Sequence, residues 1–274
     1  MEVTWYPAPG KLNLFLHVLA RRADGYHELQ TAFRLIDRAD RVGIAVREDG
    51  ELRFSGIFGH ENLCVRAARL LKAETGTPSG AELQLEKNLP VGGGLGGGSS
   101  DAATVLLALN RLWGCRLPRE KLMHIGLRLG ADVPFFIYGY NALGEGIGER
   151  LRPLDLPAAW YLVLVPQVPV STKETFASAL TGQSKQLKIP PFFPGQGRND
   201  LEAVIVARYP EVAAQLAWLR QRCPQARMTG SGACVYAEFE TRAQADAVQS
   251  QLPGGTSGFV AQGLGRHPLY DWAE

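Results

Sequence analysis

Residues 90–100 read PVGGGLGGGSS, and six of the nine residues from 92 to 100 are glycine. We call residues 90–100 the glycine loop. Glycine has no Cβ, so successive backbone N–H groups can turn toward one centre. A flexible linker would lie between polar, structureless segments, whereas here a strand pattern precedes the loop and an apolar helical pattern follows it. The loop is therefore predicted to bind a phosphate group, with the N-terminus of the next helix completing the site.

Two common types of phosphate loop fit this sequence poorly. A GxxxxGK[ST] pattern is absent, which excludes a Walker loop. Gly92, Gly94 and Gly97 satisfy GxGxxG, but the preceding strand AELQLEK is amphipathic and Pro90 interrupts the connection. A dinucleotide fold places an apolar parallel strand there. A nicotinamide or flavin enzyme therefore remains only a distant alternative.

Composition excludes several classes of protein. The 274 residues carry 29 basic and 27 acidic side chains, a formal charge of +2, which is too balanced for a surface that binds nucleic acid or anionic lipid. No apolar run approaches the roughly 18 residues of a membrane span. The four cysteines have neither CxxC nor zinc-finger spacing. We expect a cytoplasmic protein that binds neither nucleic acid nor membrane.

Outward from the loop, the hydrophobic periodicity predicts an α+β chain of two domains, residues 1–154 and 155–274. Strand patterns occur at 3–19, 41–54 (a hairpin with Asp49-Gly50 as its turn), 81–87, 160–166, 226–229, 233–239 and 257–263. Helical patterns occur at 61–74, 100–113, 118–129, 171–180, 199–222 and after Thr241. In the first strand, simple alternation places Lys11, Asn13 and His17 on one face.

Three motifs in order identify a superfamily. The glycine loop resembles the second motif of the galactokinase–homoserine–mevalonate–phosphomevalonate (GHMP) kinases. PAPGKLNLFLHV at 7–18 resembles the first motif, and TGSGAC at 229–234 resembles the third. The resemblance implies a two-domain fold, with an N-terminal βαβ-rich domain, a C-terminal ferredoxin-like domain and the active site in the cleft between them.

Further strings resemble one branch of these kinases. They are RADGYHEL at 22–29, GGGLGGGSSDAA at 92–103 and LGADVPFF at 129–136, and the likeness is weakest at 181–198. The resemblance implies a small-molecule substrate, a methylerythritol that carries a cytidine diphosphate group. Its 2-hydroxyl group would be phosphorylated by ATP in the non-mevalonate route to isoprenoids. We expect a monomer or a weak homodimer.

The resemblance assigns Lys11 and Asp132 as catalytic residues. Asp132 lies in the turn GADVP, where the residues alone leave a capping aspartate and a catalytic one equally open. Its carboxylate would accept the proton of the substrate hydroxyl, and the charge of Lys11 would orient it. A nucleotide-binding module without catalysis would have no need for both residues.

The same resemblance supplies the binding residues. The substrate residues would be Asn13, Tyr26, His27, Thr229 and Gly230. The resemblance implies that the tyrosine stacks on cytosine and that the histidine binds the hydrogen-bonding edge of the base. A homoserine or mevalonate kinase is disfavoured, because those substrates carry no base. A second stacking aromatic, Phe192 or Phe193, is expected from the 181–198 segment.

ATP would be held by two parts of the N-terminal half. These are Asn62 and Leu63 at the adenine, and the loop residues Pro90, Val91, Gly92, Gly93, Gly94, Leu95, Gly96, Gly97, Gly98, Ser99 and Ser100. Mg²⁺ would arrive on the phosphates, and no residue is assigned as a metal ligand.

Overall fold

The computed structural model describes residues 2–57, 62–178 and 197–273. The strands are β1 (Thr4–Arg21), β2 (His27–Arg47), β3 (Leu52–Ser55), β4 (Gly80–Glu86), β5 (Ala142–Gly146), β6 (Arg150–Pro153), β7 (Trp160–Leu164), β8 (Arg227–Met228), β9 (Val235–Phe239) and β10 (Gly258–Gln262). The helices are α1 (Leu63–Thr75), α2 (Gly97–Leu112), α3 (Arg119–Leu127), α4 (Val133–Tyr138), α5 (Thr172–Ala177), α6 (Glu202–Arg208), α7 (Pro210–Arg220) and α8 (Arg242–Gln249), followed by a 3₁₀ turn (Tyr270–Trp272).

The first sheet has six strands and is built around β2. This strand pairs antiparallel with β1, β4 and β5, while β3 and β6 add the two edges. The helices α1 to α4 cover the sheet, and α2 is buried along most of its length. Because α2 begins at the end of the glycine loop, the largest apolar core of the protein also fixes the position of that loop.

The predicted hairpin at 41–54 is wrong. The strand β3 pairs in parallel with β4, and β4 lies between β3 and β2. Asp49 and Gly50 do make a turn, in which the Asp49 side chain accepts a hydrogen bond from the Glu51 N–H. The predicted hairpin would place β3 beside β2. In the structure that place is taken by β4, the amphipathic strand predicted from AELQLEK. A turn signal alone does not exclude insertion of a third strand.

The second sheet confirms the ferredoxin-like expectation. Its four antiparallel strands lie in the order β10-β7-β9-β8, and helices connect β7 to β8 and β9 to β10. The chain order is therefore βαββαβ with the first and third strands in the centre. Thr241 caps α8 in a complete capping box with Gln244, as the sequence indicated for a helix beginning there.

The first strand is longer than its alternation suggests and contains three register shifts. One shift lies between Asn13 and Phe15, and a bulge of this kind exchanges the two faces of a strand. Leu16 then pairs with Thr31, and His17 pairs with Gln30. Leu16 lines the cavity described below, whereas His17 lies on the other face. The predicted grouping of His17 with Lys11 and Asn13 is therefore wrong.

The C-terminal residues return to the first sheet. The Leu264 N–H donates to the Leu35 carbonyl, and the Trp272 ring packs edge-on against Tyr6 at 5.1 Å between centroids. Leu269 belongs to the first core. The boundary between residues 154 and 155 stays a prediction, and residues 264–273 pack with the N-terminal part. In the described part of the chain, no helix has the length and apolar character needed to cross a bilayer.

Candidate active site

A cavity of about 510 Å³ lies between the two halves of the chain. The N-terminal half provides most of its wall, and the C-terminal half provides Thr172, Phe176, Gly230 and Ser231. The predicted cleft between the two parts is therefore present in the structure. The glycine loop supplies ten consecutive residues of the lining, from Pro90 to Ser99. We call the part of the cavity beside Asn62 and Leu63 the nucleoside end, after the binding predicted there, and the part beside Asp132 and Phe176 the acceptor end.

The glycine loop is tied down by its carbonyl groups. The Gly93 carbonyl accepts from the Cys234 N–H at 3.1 Å, and the Leu95 carbonyl accepts from the Lys11 N–H at 2.9 Å. In a planar trans peptide the C=O and the next N–H point in opposite directions. The N–H groups of Gly94 and Gly96 therefore point away from these bonds, toward the cavity.

The first turn of α2 extends the same surface. Gly96 is the N-cap with φ +71°, a conformation that favours glycine. The N–H groups that follow have no partner within the helix, and Gly97, Gly98 and Ser99 line the cavity. Ser100 is completely buried and does not line the cavity. Residues 90–99 thus line the cavity, and their predicted binding of a phosphate group stays a prediction.

The glycine loop also interlocks with the third motif. A Cβ at Gly94 would lie 2.3 Å from the Thr229 carbonyl oxygen, closer than real atoms approach. The Thr229 hydroxyl accepts from the Asn13 N–H at 2.9 Å, and its side chain is fully buried. Thr229 therefore joins β1 to the loop from behind the cavity wall. Gly230 lines the cavity but Thr229 does not, so the structure brings only Gly230 to the predicted substrate site.

Lys11, Asn13 and Asp132 meet beside the loop. The Lys11 Nζ donates to Asn13 Oδ1 at 2.5 Å and lies 3.4 Å from Asp132 Oδ2. The Thr31 hydroxyl donates to the Phe15 carbonyl at 2.6 Å and so accepts from Asn13 Nδ2 at 2.8 Å. This chain of bonds turns the amide oxygen of Asn13 toward the ammonium group. Lys11 is buried, and the Asp132 side chain is one-third exposed, at 32%.

The structure separates the two interpretations of Asp132. The residue is the N-cap of α4, but its side chain makes no capping hydrogen bond. The carboxylate instead faces Lys11 and the cavity. An acidic group that leaves its helix uncapped and points to a cation in a cleft fits a proton acceptor better than a turn residue.

The nucleoside end of the cavity lies beside α1. Asn62 caps this helix by accepting from the Cys64 N–H at 2.8 Å, and its Nδ2 donates to the Ile57 carbonyl. Asn62 and Leu63 both line the cavity, as predicted. Lys87 lines the same end, although the sequence analysis did not select it.

The acceptor end has an aromatic border. The His27 ring lies 5.5 Å from the Phe176 ring, between centroids and at 30° between planes, and Phe176 lines the cavity. Burial lowers the pKa of His27, which favours its neutral form. Tyr26 is 56% exposed, and neither Tyr26 nor His27 is among the residues that line the cavity.

Family models and curated relatives match both halves of the chain. A model of the GHMP kinases N terminal domain matches residues 62–140, and a model of the GHMP kinases C terminal matches residues 194–255. The 4-diphosphocytidyl-2-C-methyl-D-erythritol kinase of Nitrosospira multiformis is 57% identical, covering 98% of this chain and 94% of that relative. The enzyme of the same name from Thiobacillus denitrificans is 56% identical, covering 97% and 98%.

The chain belongs to the 4-diphosphocytidyl-2-C-methyl-D-erythritol kinase family of GHMP kinases.

Solved structures place this GHMP kinase in the same fold. A crystal structure of 4-(cytidine 5'-diphospho)-2C-methyl-D-erythritol kinase superposes with a TM-score of 0.80 at 35% identity, covering 96% of this chain and all of the other. A mevalonate kinase from Methanococcus jannaschii has a TM-score of 0.68 at 13% identity, covering 96% and 99%, and shares the fold alone.

Three cavity residues from the C-terminal half of this GHMP kinase were missed by sequence reasoning, in addition to Lys87. Phe176 lines the cavity and packs near the His27 ring. The predicted second stacking aromatic, Phe192 or Phe193, lies outside the described part of the chain. Thr172 and Ser231 share a hydrogen bond of 2.9 Å between their hydroxyl groups. Phe176 lies in the helix begun by the Ser171 cap, so the capping signal located its helix but gave no sign of which residue faces the cleft.

The structure offers no dedicated metal cage. Within the described residues, no group of three or more His, Cys, Asp or Glu side chains is arranged to hold a metal ion. The carboxylates nearest the loop, Asp40, Asp101 and Asp132, are each paired with a lysine. These donors do not form a divalent-cation site of their own.

Proposed function

We propose that this protein transfers the γ-phosphoryl group of ATP to the 2-hydroxyl of 4-diphosphocytidyl-2-C-methyl-D-erythritol, a step of the non-mevalonate route to isoprenoid precursors. The observation that carries the proposal is a Lys11–Asp132 pair 3.4 Å apart, next to a loop whose N–H groups face the same cavity. Family membership supplies the substrate class.

Asp132 receives the proton in this mechanism. As the hydroxyl oxygen bonds to the γ-phosphorus, the bond from phosphorus to the β–γ bridging oxygen breaks, and ADP leaves. The hydroxyl proton passes to the Asp132 carboxylate. Lys11 and Asn13 hold that carboxylate and the acceptor in place, because phosphoryl transfer depends mainly on positioning and charge stabilisation. Thr172 and Ser231 line the cavity from the C-terminal half, and their hydroxyl groups are hydrogen-bonded to each other.

The glycine loop binds the phosphates of ATP. Its inward N–H groups and the N-terminus of α2 stabilise negative charge without a side chain. Mg²⁺ would be held mainly through the phosphate oxygens of ATP, and the Ser99 side chain, which lines the cavity near the Asp132 turn, would add an oxygen ligand. The cation would neutralise charge on the transferred group.

The cytidine group binds at the aromatic border. Tyr26 and Phe176 provide two faces for the base, and neutral His27 reads its hydrogen-bonding edge. A base that lies far from the reacting atoms provides binding energy for orientation. The four cysteines are unpaired thiols, in keeping with a proposed cytoplasmic location.

A substrate panel tests this function. The purified protein, ATP and Mg²⁺ are mixed separately with 4-diphosphocytidyl-2-C-methyl-D-erythritol, methylerythritol without the nucleotide, galactose, homoserine and mevalonate. ADP release is followed, and mass spectrometry detects the phosphorylated product. We expect turnover only with the cytidyl substrate. Equal turnover of methylerythritol without the nucleotide would contradict the proposal.

A further inference from the structure

A buried cluster of charges lies beneath the glycine loop, outside the catalytic pair. The Lys87 Nζ donates to Asp40 Oδ2 and, at 2.8 Å, to Asp101 Oδ2. Both carboxylates are almost completely buried, and the Lys87 side chain is 17% exposed. Burial together with the nearby Asp40 raises the pKa of Asp101, against the opposing charge of Lys87.

The cluster joins the two ends of the glycine loop. Asp40 Oδ1 accepts from the Asn88 and Leu89 N–H groups at 2.6 and 2.7 Å, directly before the loop begins. Asp101 follows the loop directly, within α2. Lys87 therefore connects a carboxylate that fixes the entry of the loop to a carboxylate at its exit.

We propose that Asp40 is a positioning residue for the glycine loop, which it holds closed at its base through Lys87 and Asp101. A glycine-rich segment loses much conformational entropy when it becomes ordered. If the two ends of the loop are already held together in the free protein, ligand binding costs less conformational entropy. The proposed link to ATP rests on the function proposed above.

A second explanation makes a different prediction. If Lys87 acted only by direct contact with the nucleotide, loss of the Asp40 charge would free its ammonium group and leave ATP binding unchanged or stronger. If Asp40 acts through Lys87 on the loop, loss of that charge weakens ATP binding. Asp40→Asn keeps an oxygen for the two backbone N–H groups, so it removes only the charged bond to Lys87.

The first test uses the free protein. Hydrogen exchange of the backbone amides of residues 91–98 is measured without nucleotide in wild type, Asp40→Asn, Asp101→Asn and the control Asp37→Asn. Asp37 lies on the same strand and also accepts a backbone N–H, from Gln262, but has no link to the loop. We expect roughly tenfold faster loop exchange in the first two variants, with core amides and the control unchanged.

The second test uses the complete reaction. In Asp40→Asn and Asp101→Asn, we expect the KM for ATP to rise roughly tenfold, while kcat and the KM of the acceptor stay within about twofold. In a Lys87→Met background, Asp40→Asn should add little, because its effect passes through Lys87.

The outcomes separate the ideas. Unchanged loop exchange in a folded Asp101→Asn protein overturns the proposal, and this variant decides it even if Asp40→Asn fails to fold. Tighter ATP binding in Asp40→Asn also overturns it. A wild-type protein that does not use ATP would contradict the proposed function but leave the exchange result intact.

Discussion

The two ends of the cavity are built from different parts of the chain. The nucleotide end is mostly backbone, with loop carbonyls bonded to Lys11 and Cys234 and N–H groups turned inward. The acceptor end consists of side chains that meet only in the folded molecule, such as Asp132 from the first half and Phe176 from the second. A site built from backbone can be recognised in the sequence by its cluster of glycines. A site built from side chains cannot, because its residues are far apart in the sequence and meet only when the chain folds.

The largest expected effect lies at the acceptor end. Asp132→Asn removes the proton acceptor while keeping the size of the side chain, so kcat should fall roughly 10²–10⁴-fold. The Kd of ATP, measured by calorimetry, should stay close to that of wild type, because the loop does not involve this side chain. Lys11→Met should cause a similar loss, and the double variant should lose much less than the product of the two. Near-normal turnover of Asp132→Asn would show that positioning alone drives the reaction.

The back of the glycine loop is tested by Gly94→Ala. The new methyl group would meet the Thr229 carbonyl, and the residue has φ +79°. We expect a loss of about 2–4 kcal/mol in the free energy of unfolding, measured by urea denaturation, together with weaker ATP binding. A variant with wild-type stability would mean that the loop is not locked to the third motif.

Removal of either aromatic ring tests the acceptor end again. Stacking on a base contributes about 1–3 kcal/mol, so Tyr26→Ala or Phe176→Ala should weaken binding of the cytidyl substrate roughly 5–150-fold. The KM for ATP should barely change, because adenine is predicted to bind at the other end. Tyr140→Ala, an exposed tyrosine that packs with Tyr138 and Tyr270, is the control. Competition by CDP that persists in both variants would place the base elsewhere.

The smallest effect is expected on the cavity side of the loop. A Cβ at Gly98 would make only ordinary contact, 3.5 Å from Leu63. Gly98→Ala should therefore raise the free energy of unfolding by up to about 1 kcal/mol, since alanine favours a helix. The added methyl group should raise the KM for ATP roughly two- to fivefold. We expect the free energy of unfolding to fall in Gly94→Ala and to rise in Gly98→Ala, because the two glycines face opposite sides of the loop. Changes of the same sign in both variants would contradict this assignment of the two sides.

Sequence patterns located the elements that local chemistry specifies. The α+β class, the helix after the loop and the Thr241 cap follow from periodicity and capping, which act over a few residues. The resemblance to GHMP kinases supplied the ferredoxin-like half and the pairing of Lys11 with Asp132. Neither follows from spacing alone, because those two side chains lie 121 positions apart in the numbering.

Errors arose where distant segments decide the outcome. A DG turn suggested a hairpin, but β4 inserted beside β2. Simple alternation placed His17 toward the site, but the bulge after Asn13 turned Leu16 inward. Phe176 was missed because a ring on a short helix has no signature until the cleft forms around it.

The return of the C-terminal residues to the first sheet affects the order in which the molecule can be completed during synthesis. A nascent chain that has emerged through residue 154 still lacks Leu269 and Trp272, which belong to the first core. Arg119 donates to the Tyr270 carbonyl at 2.6 Å, a bond that forms only once Tyr270 has been synthesised. Domains usually fold N-terminal first on the ribosome. Here the N-terminal core is completed only after residues 269–272 have left the exit tunnel, so a fragment that ends at 154 would lack the Trp272 ring that packs against Tyr6.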